Sequence, residues 1–393
     1  MKVLKSKKIL IVDNSAWNIY NFRQPHIKKL LKEGYEVVVL SPIDEYIGSL
    51  TKQLLHRHLP LYHLRPNSRN LLHDLHLIIE LFQYYRREKP DLVIHFTIKP
   101  NVFGSLVARL LNIPAISVIT GLGYPFLHPT GINRLVPILF KLAFRRIEKL
   151  ILYNPDDRDE LVKRKIISQA KTRIVPGSGV NTHHFRPMSY EKKERPFVFL
   201  FVGRLLKDKG LIEFVQAAKR IAALKKNVEC WVIGNFTFHN PSAVESGELH
   251  DWVQARYIRY FGFATDVRDY LKKAEVLVMP SQREGIPRSI LEGMAMSKPI
   301  ITTQSAGCKE TVIHGVNGLL VPVGNSAALV DAMLYMLEAQ PTQLRLMGEQ
   351  SRKRALEIFD EKIITQRFLE VINETLPISE HEECTRTGSS AIL

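Results

Sequence analysis

The chain has 393 residues, more than one ordinary core accommodates and suited to two domains of roughly 150–200 residues each. A composition of 45% hydrophobic and 24% charged residues, with 21 Gly and 21 Pro, excludes a disordered or fibrous chain. The net charge of +16 is uneven: residues 1–190 hold 29 Lys/Arg against 14 Asp/Glu, while residues 191–393 hold 26 against 25. The apolar run Ile9–Val12 is too short for a signal-peptide core. No stretch approaches the roughly 20 apolar residues that a spanning helix needs.

In chain order, KKILIVDN, YEVVVLSP, DLVIHFT, PAISVIT and KLILYN read as buried strands. Helix-like segments at Phe22–Gly34, Leu71–Arg87 and Asn101–Leu111 separate them, the alternation of a parallel α/β sheet. Arg134–Lys149 reads as an amphipathic basic helix, with Lys141, Arg145, Arg146 and Lys149 among Leu, Ile and Phe. It suits either an anionic bilayer or a wet face of the core. The stretch 188–196 is charged, aperiodic and carries Pro196, which marks a hinge. The pattern restarts with FVFLFVG, VECWVIGN, IRYFGF, VLVMPS, PIITT and GLLVPV. This gives an N-terminal domain over 1–187 and a C-terminal domain over 197–360. A last helix, 361–376, precedes a polar tail, 377–393.

Open α/β sheets bind ligands at the carboxyl ends of their strands, so the loops there carry the chemistry. In FVGRLLKDKG, Gly203 permits a close turn, and Arg204 and Lys209 put two cations beside a helix start, suited to a diphosphate. In SQREGIPRSILE, Glu284 lies in a loop after a strand and Gly285 allows close backbone approach. Pro287 fits a first helical turn and Glu292 lies about a turn inside. A loop carboxylate can accept from sugar hydroxyls, and a helical one from both hydroxyls of a ribose. The alternative is that Glu284 caps a helix and Glu292 is solvated. Asp157-x-Asp159 has the spacing of a metal-binding D-x-D but follows a strand, where acids cap a helix. No metal site is expected.

Glu284 and Glu292, with seven residues between, resemble the E-x7-E signature of retaining glycosyltransferases of family 4. GMAMSKPIITT, GCKETVIHGVNGLLVPVGN and FVGRLLKDKG resemble its neighbouring segments, in order, across about 197–340. The resemblance implies the GT-B fold, two Rossmann-like doubly wound domains facing a cleft, with acceptor in the first and nucleotide-sugar in the second. It implies that Arg204 and Lys209 hold the donor diphosphate, with Gly203, Gly285, Ile286 and Pro287 beside it. Glu284 would contact the transferred sugar and Glu292 the ribose, and Glu310 would lie near the nucleotide or sugar. The final helix would cross back onto the N-terminal domain. The implied cofactor requirement is none, with a UDP-sugar as substrate.

HFTIKPN and ITGLGYPF are similar to a bacterial subgroup that extends undecaprenyl-diphosphate-linked sugars. The first loop, DNSAWN, departs from the family's Gly-Gly pair, so Ser15, Trp17 and Asn18 take the acceptor side there. Lys99 and Asn101 could meet an acceptor phosphate, with Thr120, Gly121, Gly123 and Tyr124 as the adjoining wall. Expected partners are therefore a nucleotide-sugar, a lipid-linked glycan and an anionic membrane surface, but no nucleic acid. Three distant cysteines, Cys230, Cys308 and Cys384, fit a reducing compartment. The expected place is cytoplasmic, peripheral on the inner face of the plasma membrane. The rival readings are a nucleotide-sugar epimerase of similar architecture and a transferase acting on a soluble acceptor. A dehydrogenase would need G-x-G-x-x-G after the first strand, which DNSAWN lacks.

Overall fold

The first strand alternates faces as a pleated strand must: Ile9 and Ile11 enter one apolar cluster, Leu10 and Val12 another. In the computed structural model both clusters are covered by helices, which is why the strands are apolar throughout. The structure describes residues 6–376 except 54–56, 67, 69, 124, 125, 127–130, 189–194, 225, 226 and 237–239. The expected tail and most of the expected hinge lie outside the described residues.

The first sheet contains β1 (Lys8–Val12), β2 (Glu36–Ser41), β3 (His58–Pro60), β4 (Leu92–Phe96), β5 (Ala115–Ile119), β6 (Lys149–Leu152) and β7 (Thr172–Ile174). It is wholly parallel, in the order β3-β2-β1-β4-β5-β6-β7. The second contains β8 (Phe197–Val202), β9 (Val228–Ile233), β10 (Arg259–Tyr260), β11 (Val276–Met279), β12 (Ile300–Thr303) and β13 (Gly318–Val321). Its order is β10-β9-β8-β11-β12-β13, again all parallel. Each sheet reverses strand order once, between β1 and β4 and between β8 and β11. Those switch points open their crevices at the carboxyl ends of the strands. The architecture is the GT-B arrangement of two doubly wound α/β domains.

The third cluster fills the outer face of the second sheet, while the first runs from Ile9 through Phe368 to Leu200 and so joins the two domains. The helix Glu361–Thr375 carries it. Phe368 stacks on His26 at 4.4 Å between ring centroids, and Asn373 accepts from the Tyr35 hydroxyl at 3.0 Å.

Several elements differ from their sequence reading. Arg134–Lys149 is not one helix: Gly131–Leu135 is a 3-10 turn, Val136–Ala143 is α-helical, Phe144–Arg146 is 3-10, and Lys149 opens β6. Phe144 and Ile147 turn into the core, and Ile147 is already extended. Phe22–Gly34 and Asn101–Leu111 each begin in a π-turn, Ile19–Arg23 and Pro100–Gly104, before α-helix sets in. The edge strands β3 and β7 have three residues each, too short to show a pattern.

Candidate active site

The loops after β1, β4 and β5 face those after β8 and β11 across a cavity of about 370 Å³. Gly203, Arg204, Lys209, Glu284, Ile286 and Pro287 line one side. Asn18, Arg23, Thr97, Thr120 and Tyr153 line the other. Two further hollows join it. One of about 350 Å³, with Lys99, Asn101 and Gly121, shares Thr97 and Thr120 and lies in the N-terminal domain. One of about 610 Å³ between the two domains shares Val202, Gly203 and Arg204 and includes Trp17 and Tyr46 on one side and Asn235 and Phe263 on the other. The three form a continuous path from one domain to the other.

On the C-terminal side, β8 delivers Gly203 and Arg204, and the 3-10 turn Lys207–Lys209 delivers the Lys209 ammonium. That ammonium is ion-paired with Glu284 Oε1, which also accepts from the Ser281 hydroxyl at 2.9 Å. One cation and one carboxylate are thus fixed at the cavity wall with side chains only 15% and 12% exposed. Glu292 stands in the helix Arg288–Ala295, for which Pro287 is the N-cap residue rather than a first-turn one. It sits behind the wall, its Oε1 on Arg288 Nε at 3.2 Å. Burial pushes its carboxyl above the usual range and Arg288 opposes the shift. Arg288 itself lines the cavity and donates to the Asn21 carbonyl of the other domain at 3.3 Å. Glu310 lies outside the cavity lining; its Oε2 is buried without a partner and burial raises its carboxyl.

At Gly203 an added Cβ would make only ordinary contacts, with the Phe201 ring at 3.5 Å and the Met279 methyl at 3.7 Å. Gly285 is where close approach is needed. A Cβ there would lie 1.7 Å from the Thr120 carbonyl oxygen, and one on Gly121 (φ 141°) would lie 2.8 Å from the Gly285 nitrogen. The two domains therefore touch backbone to backbone beside Glu284.

Asn154 holds that contact from below. Its Oδ1 accepts from Asp157 N at 2.8 Å as a helix N-cap. Its Nδ2 reaches the carbonyls of Glu284 at 3.2 Å and Gly285 at 2.9 Å. Asp157, expected only to stabilise a helix end, lies in the first turn of that helix but is fully buried against Arg283 of the other domain at 2.5 Å. Burial raises its carboxyl, against the pull of Arg283. Asp159 is ion-paired with Arg158 at 2.8 Å and Asp156 with Lys309 at 2.8 Å. These three carboxylates thus have cationic partners. Among the described residues no group of three or more His, Cys, Asp or Glu has metal-binding geometry.

On the N-terminal side, Ser15 caps the first helical turn by accepting from Asn18 N at 3.1 Å, and does not line the cavity. Asn18 donates to Asp13 Oδ1 at 3.1 Å and to Asn14 Oδ1 at 2.6 Å. The buried Asp13 carboxyl, raised by that burial, pairs with Arg23 at 3.2 Å. Arg23 also donates to the Tyr153 hydroxyl at 3.1 Å and lies 4.0 Å over the Phe96 ring. Lys99 is held within its own domain by Asp74 at 2.6 Å and the Ser68 carbonyl at 2.8 Å. The Asn101 amide bonds both backbone groups of Val118. Gly123 lies outside the three hollows, and Tyr124 falls outside the described residues.

Thr97 was not singled out in the sequence. It ends β4 at the switch point with φ +69°, a left-handed backbone that disfavours a β-branched residue. Its hydroxyl is buried without a hydrogen-bond partner, and it faces both the cavity and the N-terminal hollow. Arg23, Arg288 and Asn154 were likewise missed, because nothing in a single arginine or asparagine codon marks a contact made across 130 or more residues.

Comparison with known proteins agrees with this geometry. Residues 196–339 match the family described as glycosyl transferases group 1, and residues 8–154 match that described as glycosyl transferase 4-like. The chain is 27% identical over 386 residues to the N,N'-diacetylbacillosaminyl-diphospho-undecaprenol alpha-1,3-N-acetylgalactosaminyltransferase of Campylobacter jejuni, covering 94% of this chain and 99% of that one. It is 24% identical over 310 residues to the UDP-Gal:alpha-D-GlcNAc-diphosphoundecaprenol alpha-1,3-galactosyltransferase of Escherichia coli, covering 74% and 77%. A glycosyltransferase structure from Rickettsia africae superposes with a TM-score of 0.77 at 19% identity, over 95% of this chain and all of the other. With both domains matched and both switch points opening on one cavity, the chain belongs to the family 4 glycosyltransferases and is a sugar-transferring enzyme.

Proposed function

We propose that this enzyme transfers a hexose or N-acetylhexosamine from a UDP-sugar to a saccharide carried on undecaprenyl diphosphate, in surface polysaccharide or glycan assembly. The observation that carries the reading is the cavity in which Arg204, Lys209 and Glu284 face Asn18, Arg23 and Thr120 across the domain boundary. Two relatives whose names specify undecaprenyl-diphosphate-linked acceptors support the acceptor class, and one of those names specifies UDP-Gal. On this reading the enzyme meets its acceptor at an anionic bilayer. Among the described residues no helix is long and apolar enough to cross one.

In the reaction, the bond between the donor's anomeric carbon and the β-phosphate oxygen breaks. Charge accumulates on the departing diphosphate, and the paired Lys209 and the exposed Arg204 at the same wall would neutralise it without a metal. Donor binding would share the Lys209 ammonium between the diphosphate and Glu284, and would leave the Glu284 carboxylate to accept from sugar hydroxyls. The acceptor hydroxyl attacks the same face that the diphosphate leaves, its proton passing to the leaving phosphate oxygen, so configuration is retained. Both relatives form α linkages by name, and an α-linked donor giving an α product is retention.

The test is nucleoside diphosphate release from a panel of nucleotide-sugars, in EDTA, with and without an undecaprenyl-linked glycan extract. Extract-dependent release of UDP from one sugar, with an α-linked product, is the expected result. An inverted product, or conversion of the donor sugar to its epimer without any acceptor, would overturn it.

A further inference from the structure

The largest hollow among those described lies away from the cleft. It measures about 730 Å³ and is formed where the helix Val136–Ala143 meets the loop that follows the helix Pro155–Lys163. That loop and the 3-10 turn Phe144–Arg146 lead into the amino ends of β7 and β6, the end of the sheet opposite the cleft. Its floor is apolar, built from Ile138, Leu142, Phe144, Val162, Ile166 and Ile167. Its charged lining is cationic, Lys141, Arg145, Lys165 and Lys171 with no carboxylate, and Ser168 is its one neutral polar residue.

Lys171 donates to the Ile147 carbonyl at 2.8 Å. The side chains of Lys141, Arg145 and Lys165 are exposed, with no ion pair or hydrogen bond among the described residues. Some lysines and arginines of this domain find carboxylates, as Lys8, Arg23, Lys99 and Lys149 do; what sets this group apart is that it rings an apolar hollow with no carboxylate in its lining. Lys165 also sits at φ +54° just past a helix end, a place where glycine is the less costly residue. Two of the lining residues are themselves open to solvent, Ile138 (57%) and Leu142 (47%), and Leu135 before the helix is 50% exposed. Three unpaired cations around an apolar floor, next to a solvent-facing apolar strip, complement a ligand that is both anionic and hydrocarbon-rich.

We propose that this hollow is a binding site for an anionic phospholipid, with the bilayer as its source: the headgroup phosphate on Lys141, Arg145 and Lys165, the proximal chain on Ile138, Leu142 and Ile166. The site deepens the reading of a lipid-linked acceptor, on which it rests for why the enzyme should meet a membrane. It is separate from the transfer cavity. The opposite face of the same helix contributes Phe140 to the N-terminal hollow beside the cleft. A helix is about 10 Å across with its side chains, so a bilayer seated on the outer side of this one brings the interface within reach of that hollow.

The experiment is co-sedimentation of the full chain with phosphatidylglycerol vesicles, phosphatidylcholine vesicles and, in a separate arm, competition by inorganic phosphate. The expected result is binding to phosphatidylglycerol only. It should weaken about 100-fold in Lys141→Ala/Arg145→Ala/Lys165→Ala, from about a factor of five per cation. Ile138→Ser/Leu142→Ser, at exposed positions, should also weaken it at unchanged thermal midpoint. Millimolar inorganic phosphate should compete poorly. Unchanged vesicle binding in both variants would overturn the site, and full displacement by inorganic phosphate would reassign it to a soluble anion. UDP release with a short-chain, water-soluble acceptor keeps the two readings apart. Wild-type protein that binds vesicles but releases no UDP defeats the transfer reading alone. Variants that release UDP normally yet bind vesicles like wild type defeat this site alone.

Discussion

Both sheets reverse strand order at their centre and open on one cavity, yet the two domains place their charge in opposite ways. The N-terminal half holds almost all of the net positive charge. At the cavity, though, its one lining cation, Arg23, is offset by Asp13, and nearby Lys99 is offset by Asp74. Its unpaired cations around the largest hollow are at the far end of the domain. The C-terminal half is nearly neutral, yet it brings two cations to the wall where a leaving diphosphate would need them: Lys209, itself paired with Glu284, and the exposed Arg204. The net charge of a domain is a statement about its surface and says little about the field inside its cleft.

The sharpest way to break that contrast is to exchange roles between the two sides. Glu284→Ala and Lys209→Ala are each expected to lower turnover about 100- to 1,000-fold, measured as nucleoside diphosphate release. Lys99→Ala should lower it less than about tenfold, since its ammonium is held by Asp74 and Ser68. An equal loss in Lys99→Ala would show that the acceptor side carries essential charge after all.

Next comes the seam. Gly285→Ala puts a methyl on the Thr120 carbonyl and should destabilise the fold by roughly 2–4 kcal/mol while also abolishing transfer. Calorimetry and the same release assay read both. Asn154→Ala, in the N-terminal domain, removes the amide shared by the Glu284 and Gly285 carbonyls. It should reduce turnover roughly tenfold and stability by about 1–3 kcal/mol. A loss of stability without a change in turnover would mean that the donor loop holds its shape alone.

Acid should separate the halves more gently. His26 and His95 are both in the N-terminal domain, and burial holds each down to about 3, aided for His26 by Arg23. The unfolded chain therefore binds more protons between about pH 6.5 and 3, and stability falls as pH drops through that window. Each histidine contributes a slope approaching about 1.4 kcal/mol per pH unit. Denaturant midpoints at pH 7 and 5 should show the loss, and His95→Gln should flatten it. The smallest expected effect is Thr97→Gly, which relieves a left-handed β-branched residue and should raise stability by up to about 1 kcal/mol. If the buried hydroxyl serves the acceptor, the same variant raises the acceptor KM and Thr97→Ser restores it.

The C-terminal loops were legible because their chemistry is local. Gly203, Arg204 and Lys209 lie within seven residues, and Glu284 and Glu292 are separated by one loop and one helical turn. Apolar strand cores were legible for the same reason, since burial on both faces leaves a continuous run. What could not be read is what depends on pairing distant segments. Arg283 meets Asp157, Arg288 meets Asn21, and Asn154 meets Gly285. The basic stretch 134–149 shows the limit of periodicity: its pattern suits a helix throughout, but Phe144 and Ile147 are drawn into the core and the chain turns into β6.

The last helix has a consequence for synthesis on the ribosome. Chains fold from the N-terminus as they emerge, yet the apolar face of Gln24–Lys32, with His26, Ile27 and Leu30 buried, is covered by Glu361–Thr375, more than 300 residues later in the chain. The first domain thus leaves the exit tunnel with a sticky patch that stays open until residues 361–375 have followed it. A nascent chain stalled before residue 361 should hold chaperones that the released protein does not.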